Sequence, residues 1–212
     1  MAKIKAGILS KVSGKVAGVV GGTWKGTNYI RELVKPSNPN TALQQAQRGK
    51  MAFVVRCARQ LVGDILNPYL NKFCKTMSGY NWFCKENIVK LGGTPLAFTS
   101  APVLSFGTLG SGAFDSDNTG FLTDIYLSAV PSVAAGHTLK FIGAGIDETG
   151  SVLVTYTKEN PTVGSQISGD NSVPEGTYTG WTIGFFADFD ANGVLQQISA
   201  SIATVKDTAT VD

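Results

Sequence analysis

The chain has one histidine and three cysteines in 212 residues, and only three acidic groups in its first ninety positions. With His137 alone, a histidine-built metal site is excluded, and any His-dependent triad has a single imidazole to use. No G-x-S-x-G elbow accompanies it. An enzyme is therefore the least supported class, and no cofactor is implied. Cys57, Cys74 and Cys84 are odd in number and widely spaced, which argues against a disulfide framework, and none pairs as C-x-x-C for zinc. They read as buried thiols of a protein made in the reducing cytoplasm. No apolar run nears the roughly 20 residues of a membrane span. The opening MAKIK is followed by Lys11, Lys15 and scattered glycines, so no signal peptide is expected.

Charged residues are also scarce, at 16% against 43% hydrophobic. That balance is globular, with a sparingly charged surface. The charges divide unevenly. Residues 1–90 hold fifteen Lys and Arg against three acids, a balance of +12. Residues 91–212 hold three Lys against twelve acids, a balance of −9. Such polarity points to nucleic acid or to a subunit that meets its own neighbours head to tail. Two solvated regions of opposite charge would look the same.

The expected fold class is α+β in three regions. Residues 1–35 form a glycine-rich β arm, with runs 15–20 and 23–31 flanking Gly21-Gly22, read as a two-residue hairpin turn. An isolated hairpin is marginal in water, so the arm needs something to lie on. Residues 36–91 form a helical segment. Asn38-Pro39-Asn40-Thr41 with Gln44 resembles a capping box. Leu43, Ala46, Phe53, Val54, Cys57, Leu61 and Ile65 then follow a helical period, and Asn67-Pro68 should break the helix. Shorter helices are expected over 69–77 and 82–91. Residues 92–212 carry short apolar runs at 121–130, 138–144, 152–156, 177–187 and 194–205 between turn-rich connections, the pattern of an antiparallel β-sandwich.

Several motifs fall short of a site. Gly14-Lys15 lacks the Walker spacing, and Val16 stands where Ser or Thr should hold magnesium. Asp188, Asp190, Asn192 and Gly193 match the start of a calcium loop, but its twelfth position is Ser199, so only weak calcium binding remains open. The run from Asp115 to Gly120 is looser still. Asx-rich turns explain both loops without a metal.

The opening resembles an uncharacterised domain-of-unknown-function family frequent in Bacteroidota. The matching residues are Met1-Ala2-Lys3-Ile4, Gly7-Ile8-Leu9, Ser13-Gly14-Lys15-Val16, Val19-Val20-Gly21 and Trp24-Lys25-Gly26, continuing through Arg31, Asn38-Pro39, Thr41, Gln44 and Gln47-Arg48. A weaker similarity runs from Ile183-Gly184-Phe185-Phe186 to Ser199, while the middle, with Cys74, Trp82 and Cys84, departs from the family. The resemblance implies an N-terminal β arm, a helix and a β-sandwich tail, and no activity.

The leading expectation is a non-enzymatic structural protein, a phage virion or filament subunit that self-associates. Its interface residues would be Val16, Val19, Val20, Gly21, Gly22, Trp24 and Tyr29. Other virion proteins would be further partners. The alternative is a nucleic-acid-binding accessory protein using Lys15, Lys25, Arg31, Arg48, Arg56 and Arg59. A third reading, a carbohydrate- or surface-binding module, rests on Tyr156, Tyr178 and Trp181.

Overall fold

The computed structural model describes residues 2–4, 14–35, 37, 39–110, 112–115, 125–167, 173–204 and 206–211, and the loop 116–120 considered for calcium lies outside them. The chain divides into two compact units, residues 1–42 and 43–212. Among the described residues no helix is long and apolar enough to cross a membrane.

The first unit is a four-stranded antiparallel sheet of β1 (Ala2–Ile4), β2 (Gly14–Val16), β3 (Val19–Trp24) and β4 (Thr27–Glu32), in the order β1-β4-β3-β2. Gly21-Gly22 is not the turn. It lies inside β3, where Gly21 pairs with Ile30 and Gly22 with Tyr29. The chain reverses instead at Ala17-Gly18 and at Lys25-Gly26, where Lys25 (φ 47°) and Gly26 (φ 78°) both take the left-handed conformation that a tight two-residue hairpin requires. Gly22 serves a different purpose. A Cβ there would stand 2.9 Å from the Tyr29 hydroxyl, so the missing side chain lets the Tyr29 ring lie across β3.

Helix α1 (Ala42–Leu61) follows directly after Thr41, and from Leu43 on it opens the second unit. It continues as a π-helical stretch, Val62–Leu70, and is followed by α2 (Gly79–Asn87) and a short 3-10 turn, Ile88–Lys90. Pro68 sits inside the π-helical stretch rather than ending it. The wider turn makes room for a ring that would clash with an α-helical carbonyl. The helix expected over 69–77 therefore extends only to Leu70. Burial on α1 begins later than the periodicity suggests: Phe53, Val54, Cys57, Ala58 and Leu61 are buried, but Leu43 is 81% exposed.

The strands follow in chain order: β5 (Leu91–Gly92), β6 (Ala97–Phe98), β7 (Ala113–Asp115), β8 (Ile125–Ala129), β9 (Thr138–Asp147), β10 (Val152–Glu159), β11 (Gln166–Ile167), β12 (Gly176–Phe189), β13 (Leu195–Ile198), β14 (Ile202–Ala203) and β15 (Asp207–Val211). A six-stranded sheet runs β10-β9-β12-β13, and β14 and β15 also pair with β12. Both its faces are covered, so β12 reads as a nearly continuous apolar run. On one side Trp181, Ile183, Phe185 and Ala187 pack with Ile142, Ala144 and Ile146 against the buried residues of α1, the π-helical stretch and α2. On the other side Phe141, Tyr156 and Phe186 meet Ile125, Leu127 and Ile167 of a three-stranded sheet, β11-β8-β7. The α+β class holds. Two sheets do stack, with helices covering the outer face of the larger one.

Side chains of α1 also fasten the β9–β10 turn. Gln60 donates to the Gly150 carbonyl at 3.3 Å and accepts the Val152 amide at 3.1 Å, and Arg56 donates to the Thr149 carbonyl at 3.5 Å. Buried Asn87 does the same for the chain after β6, donating to the Val103 carbonyl and accepting the Val103 amide. Cys57 and Cys84 are buried free thiols and Cys74 is half-buried. Burial pushes the Cys57 thiol up to about 12, so it stays protonated and unreactive.

Candidate functional site

Strand register sorts the side chains of the first unit onto two faces, because residues directly opposite in an antiparallel pair share a face. Val20, Gly22 and Trp24 of β3 lie opposite Arg31, Tyr29 and Thr27 of β4, and Lys15 of β2 lies opposite Val20. The register of β1 places Lys3 opposite Tyr29. The reverse face carries Val19, Gly21 and Thr23, opposite Glu32, Ile30 and Asn28, with Val16 at the register position opposite Val19. Thr23 donates to Asn28 Oδ1 at 2.6 Å on that face.

The seven sequence-predicted interface residues are therefore divided. Val19 and Gly21 belong to the face that also carries Ile30, Thr23, Asn28 and Glu32, while Val20, Gly22, Trp24 and Tyr29 belong to the basic, aromatic one, and Val16 is paired with Val19 in the backbone register. Among the described residues, neither buried core contains one from this unit. Val19 is 42% exposed and Trp24 is 70% exposed. Lys25 Nζ stands 6.0 Å from the centroid of the Trp24 ring, at the outer reach of a cation–π contact.

The basic residues are divided too. Lys15, Lys25 and Arg31 belong to the first unit, and all three are exposed. Arg48, Arg56 and Arg59 are exposed on α1, in the second unit. Arg56 has a structural task as well, since its guanidinium lies 5.5 Å over the Phe53 ring besides holding Thr149. The three aromatics of the carbohydrate reading form no platform. Trp181 and Tyr156 are buried in cores on opposite sides of the large sheet, and Tyr178 donates to the Pro174 carbonyl at 3.0 Å.

A shallow cleft of about 490 Å³ in the second unit is lined by Ser132, His137, Asp188, Asp190 and Gln196 among others. His137 Nδ1 lies 2.9 Å from Asp188 Oδ1, and Asp188 is buried. The pair forms because Thr138 is in register with Phe189, which sets the residue before β9 beside the end of β12. Sequence carried no signal for it. Ser132 shares the cleft, but no hydrogen bond joins it to the imidazole, so the geometry does not assemble a nucleophile–base pair.

Asp190 closes the β12–β13 hairpin. Its Oδ1 accepts the Asn192 and Val194 amides, each at 2.9 Å, and its Oδ2 accepts the Gln196 side-chain amide at 2.8 Å. With Asp188 turned to His137, these carboxylates are already engaged, as in an Asx turn. Among the described residues no group of three or more His, Cys, Asp or Glu could hold a metal. The bond from the Val194 amide, more than any other interaction, holds the Asp190 carboxyl below the usual range. A depressed folded-state value means that the carboxylate supports the hairpin above the unfolded pKa, and that this support is lost as pH falls through the folded value. Amide NMR resonances of Asn192 and Val194 should accordingly stay fixed through the ordinary Asp range and shift only at lower pH. A midpoint at the ordinary Asp value would refute the closure.

No curated protein and no solved structure matches the chain. Residues 11–90, the stretch that carries β2 through α2, match the family model of DUF6266, a family of unknown function.

Proposed function

We propose that this protein is a non-enzymatic structural subunit that self-associates through the face of its N-terminal sheet that carries Val19 and Ile30. The observation that carries the proposal is that face itself: Val19 is exposed and shares the face with Ile30, and none of the unit's described residues is among those of the two buried cores. A small sheet that leaves Val19 exposed beside Ile30 lacks burial of its own to hold it together, and a partner surface supplies it. Long-range charge attraction between whole units favours a second copy as the partner. Residues 1–42 hold seven Lys and Arg against one acid, a balance of +6, and residues 43–212 hold eleven against fourteen, a balance of −3. Opposite charge on the two units favours head-to-tail contact, which closes into a ring or extends as a filament. A virion part or fibre of a phage is the assembly that such a subunit fits, by analogy of architecture.

The test is the solution mass of the wild-type chain and of Val19→Asp across protein and salt concentrations. Full burial of a valine is worth about 1.5–3 kcal/mol. Val19→Asp forfeits that and sets a second carboxylate opposite Glu32, so the dissociation constant should rise by about tenfold to a hundredfold. Circular dichroism should show the second unit unchanged. A wild-type chain that stays monomeric at every concentration would overturn the proposal.

A further inference from the structure

The other face of the same sheet has a different chemistry, and we infer that it binds single-stranded nucleic acid. Across the sheet, Arg31, Val20 and Lys15 stand in one row, so two cations flank an aliphatic centre. The next row sets Tyr29 over Gly22, with Lys3 at the following register position. Beyond it lies Trp24, with Lys25 in the adjoining turn. Aromatic surface thus sits between cations at both ends of the strands. The only acid in residues 1–42, Glu32, pairs with Val19 and belongs to the reverse face.

Single strands are held by this combination of groups. Cations neutralise phosphates, and exposed rings stack on bases whose faces are not already covered by a neighbouring pair. A duplex offers the same phosphates but keeps its base faces stacked internally, so it cannot use Trp24 or Tyr29. A carboxylate-rich protein surface would engage the cations and leave the rings idle. The occupant that uses both kinds of group is a single strand. Trp24 is the ring most open to it: 70% exposed, against 4% for Trp181, with Trp82 half-buried against the core.

The experiment titrates the full chain with an oligothymidylate of about fifteen nucleotides, long enough to cover one binding module. Tryptophan quenching and anisotropy are read across salt concentrations, with a duplex and inorganic polyphosphate as competing probes. The expected result is quenching, preference for the single strand, and a slope of log K against log salt near −2 for three neutralised phosphates, at about −0.7 each. Trp24→Ala should weaken binding by about tenfold at every salt concentration, with the slope preserved, and Trp24→Phe should restore most of it. Lys15→Ala and Arg31→Ala should each flatten the slope by about 0.7. No binding at low salt, equal or better binding of duplex or polyphosphate, or a Trp24→Ala variant indistinguishable from wild type would each overturn the inference. Self-association is read separately, because Val19→Asp lies on the reverse face and should leave the per-site affinity intact, and Trp24→Ala should leave the solution mass intact.

Discussion

Replacing Phe185 with alanine is expected to destabilise the second unit by about 3–5 kcal/mol, the usual cost of deleting a buried ring. Phe185 is fully buried on the helix-facing side of β12. Its ring meets Tyr69 of the π-helical stretch edge-on, with centroids 5.8 Å apart, and its backbone is in register with Ile142. The strand beneath it cannot sink into the vacated space, because β9 is bonded along one edge and β14 engages the other at Ile183 and Gly184. The upper part of the range is therefore expected. Phe185→Leu, which keeps most of the volume, should cost less than about half as much. Urea unfolding followed by far-UV circular dichroism measures both. A loss below about 1 kcal/mol for Phe185→Ala would mean that the helices do not pack on this face.

Gly107→Ala is the second large effect, and its cause is crowding. An alanine Cβ there would lie 1.8 Å from the Ile198 carbonyl oxygen and 2.5 Å from its carbon. Both are backbone atoms, so no rotamer change relieves the clash. The same carbonyl accepts the Leu109 amide at 3.1 Å, and Leu109 bridges to Ser199, so separating the segments also breaks the link between them. Overpacking costs about 1–3 kcal/mol when neighbours can adjust. Here the expected loss is about 3 kcal/mol, at the top of that range. Gly49→Ala is the matched contrast. Gly49 is exposed on α1 with open space where the Cβ would go, so the change should stabilise the helix by about 0.5–1 kcal/mol. Equal effects for the two substitutions would refute the packing described around Ile198.

Some of this architecture could be read from residue order and some could not. The core face of α1 was legible from Phe53 onward, because Phe53, Val54, Cys57 and Leu61 recur at helical spacing and are buried. The same pattern overreached at Leu43, since periodicity reports which side of a helix is apolar and not where the packing partner begins. The strands around 138–144 and 177–187 were legible as apolar runs, but the helices on one side and the small sheet on the other are tertiary facts. Gly21-Gly22 misled for a physical reason: glycine serves both left-handed turns and close ring packing, and Tyr29 uses it for the second. That misplacement mattered for the site. Lys15, Trp24, Tyr29 and Arg31 were candidates by residue type, but their sharing a face depends on register. A slip of one residue would move every side chain of a strand to the opposite face. The pairing of His137 with Asp188 was invisible for the same reason.

The central position of β12 has a consequence for the order of events during synthesis. The side chain of Gln60 is completed by a partner 90 residues further along, and that of Lys72 by one 123 residues along. A ribosome delivers the apolar stripe of α1 long before it delivers the strand that covers it. The second unit thus has to wait, its greasy helix uncovered, until β12 arrives to be paired on both edges, and long-range pairing of that kind is slow. The N-terminal meander from β2 to β4 pairs through neighbours only, so its strands can find their register on the nascent chain while the larger unit is still unfolded, and the sheet then waits for the partner surface that holds it.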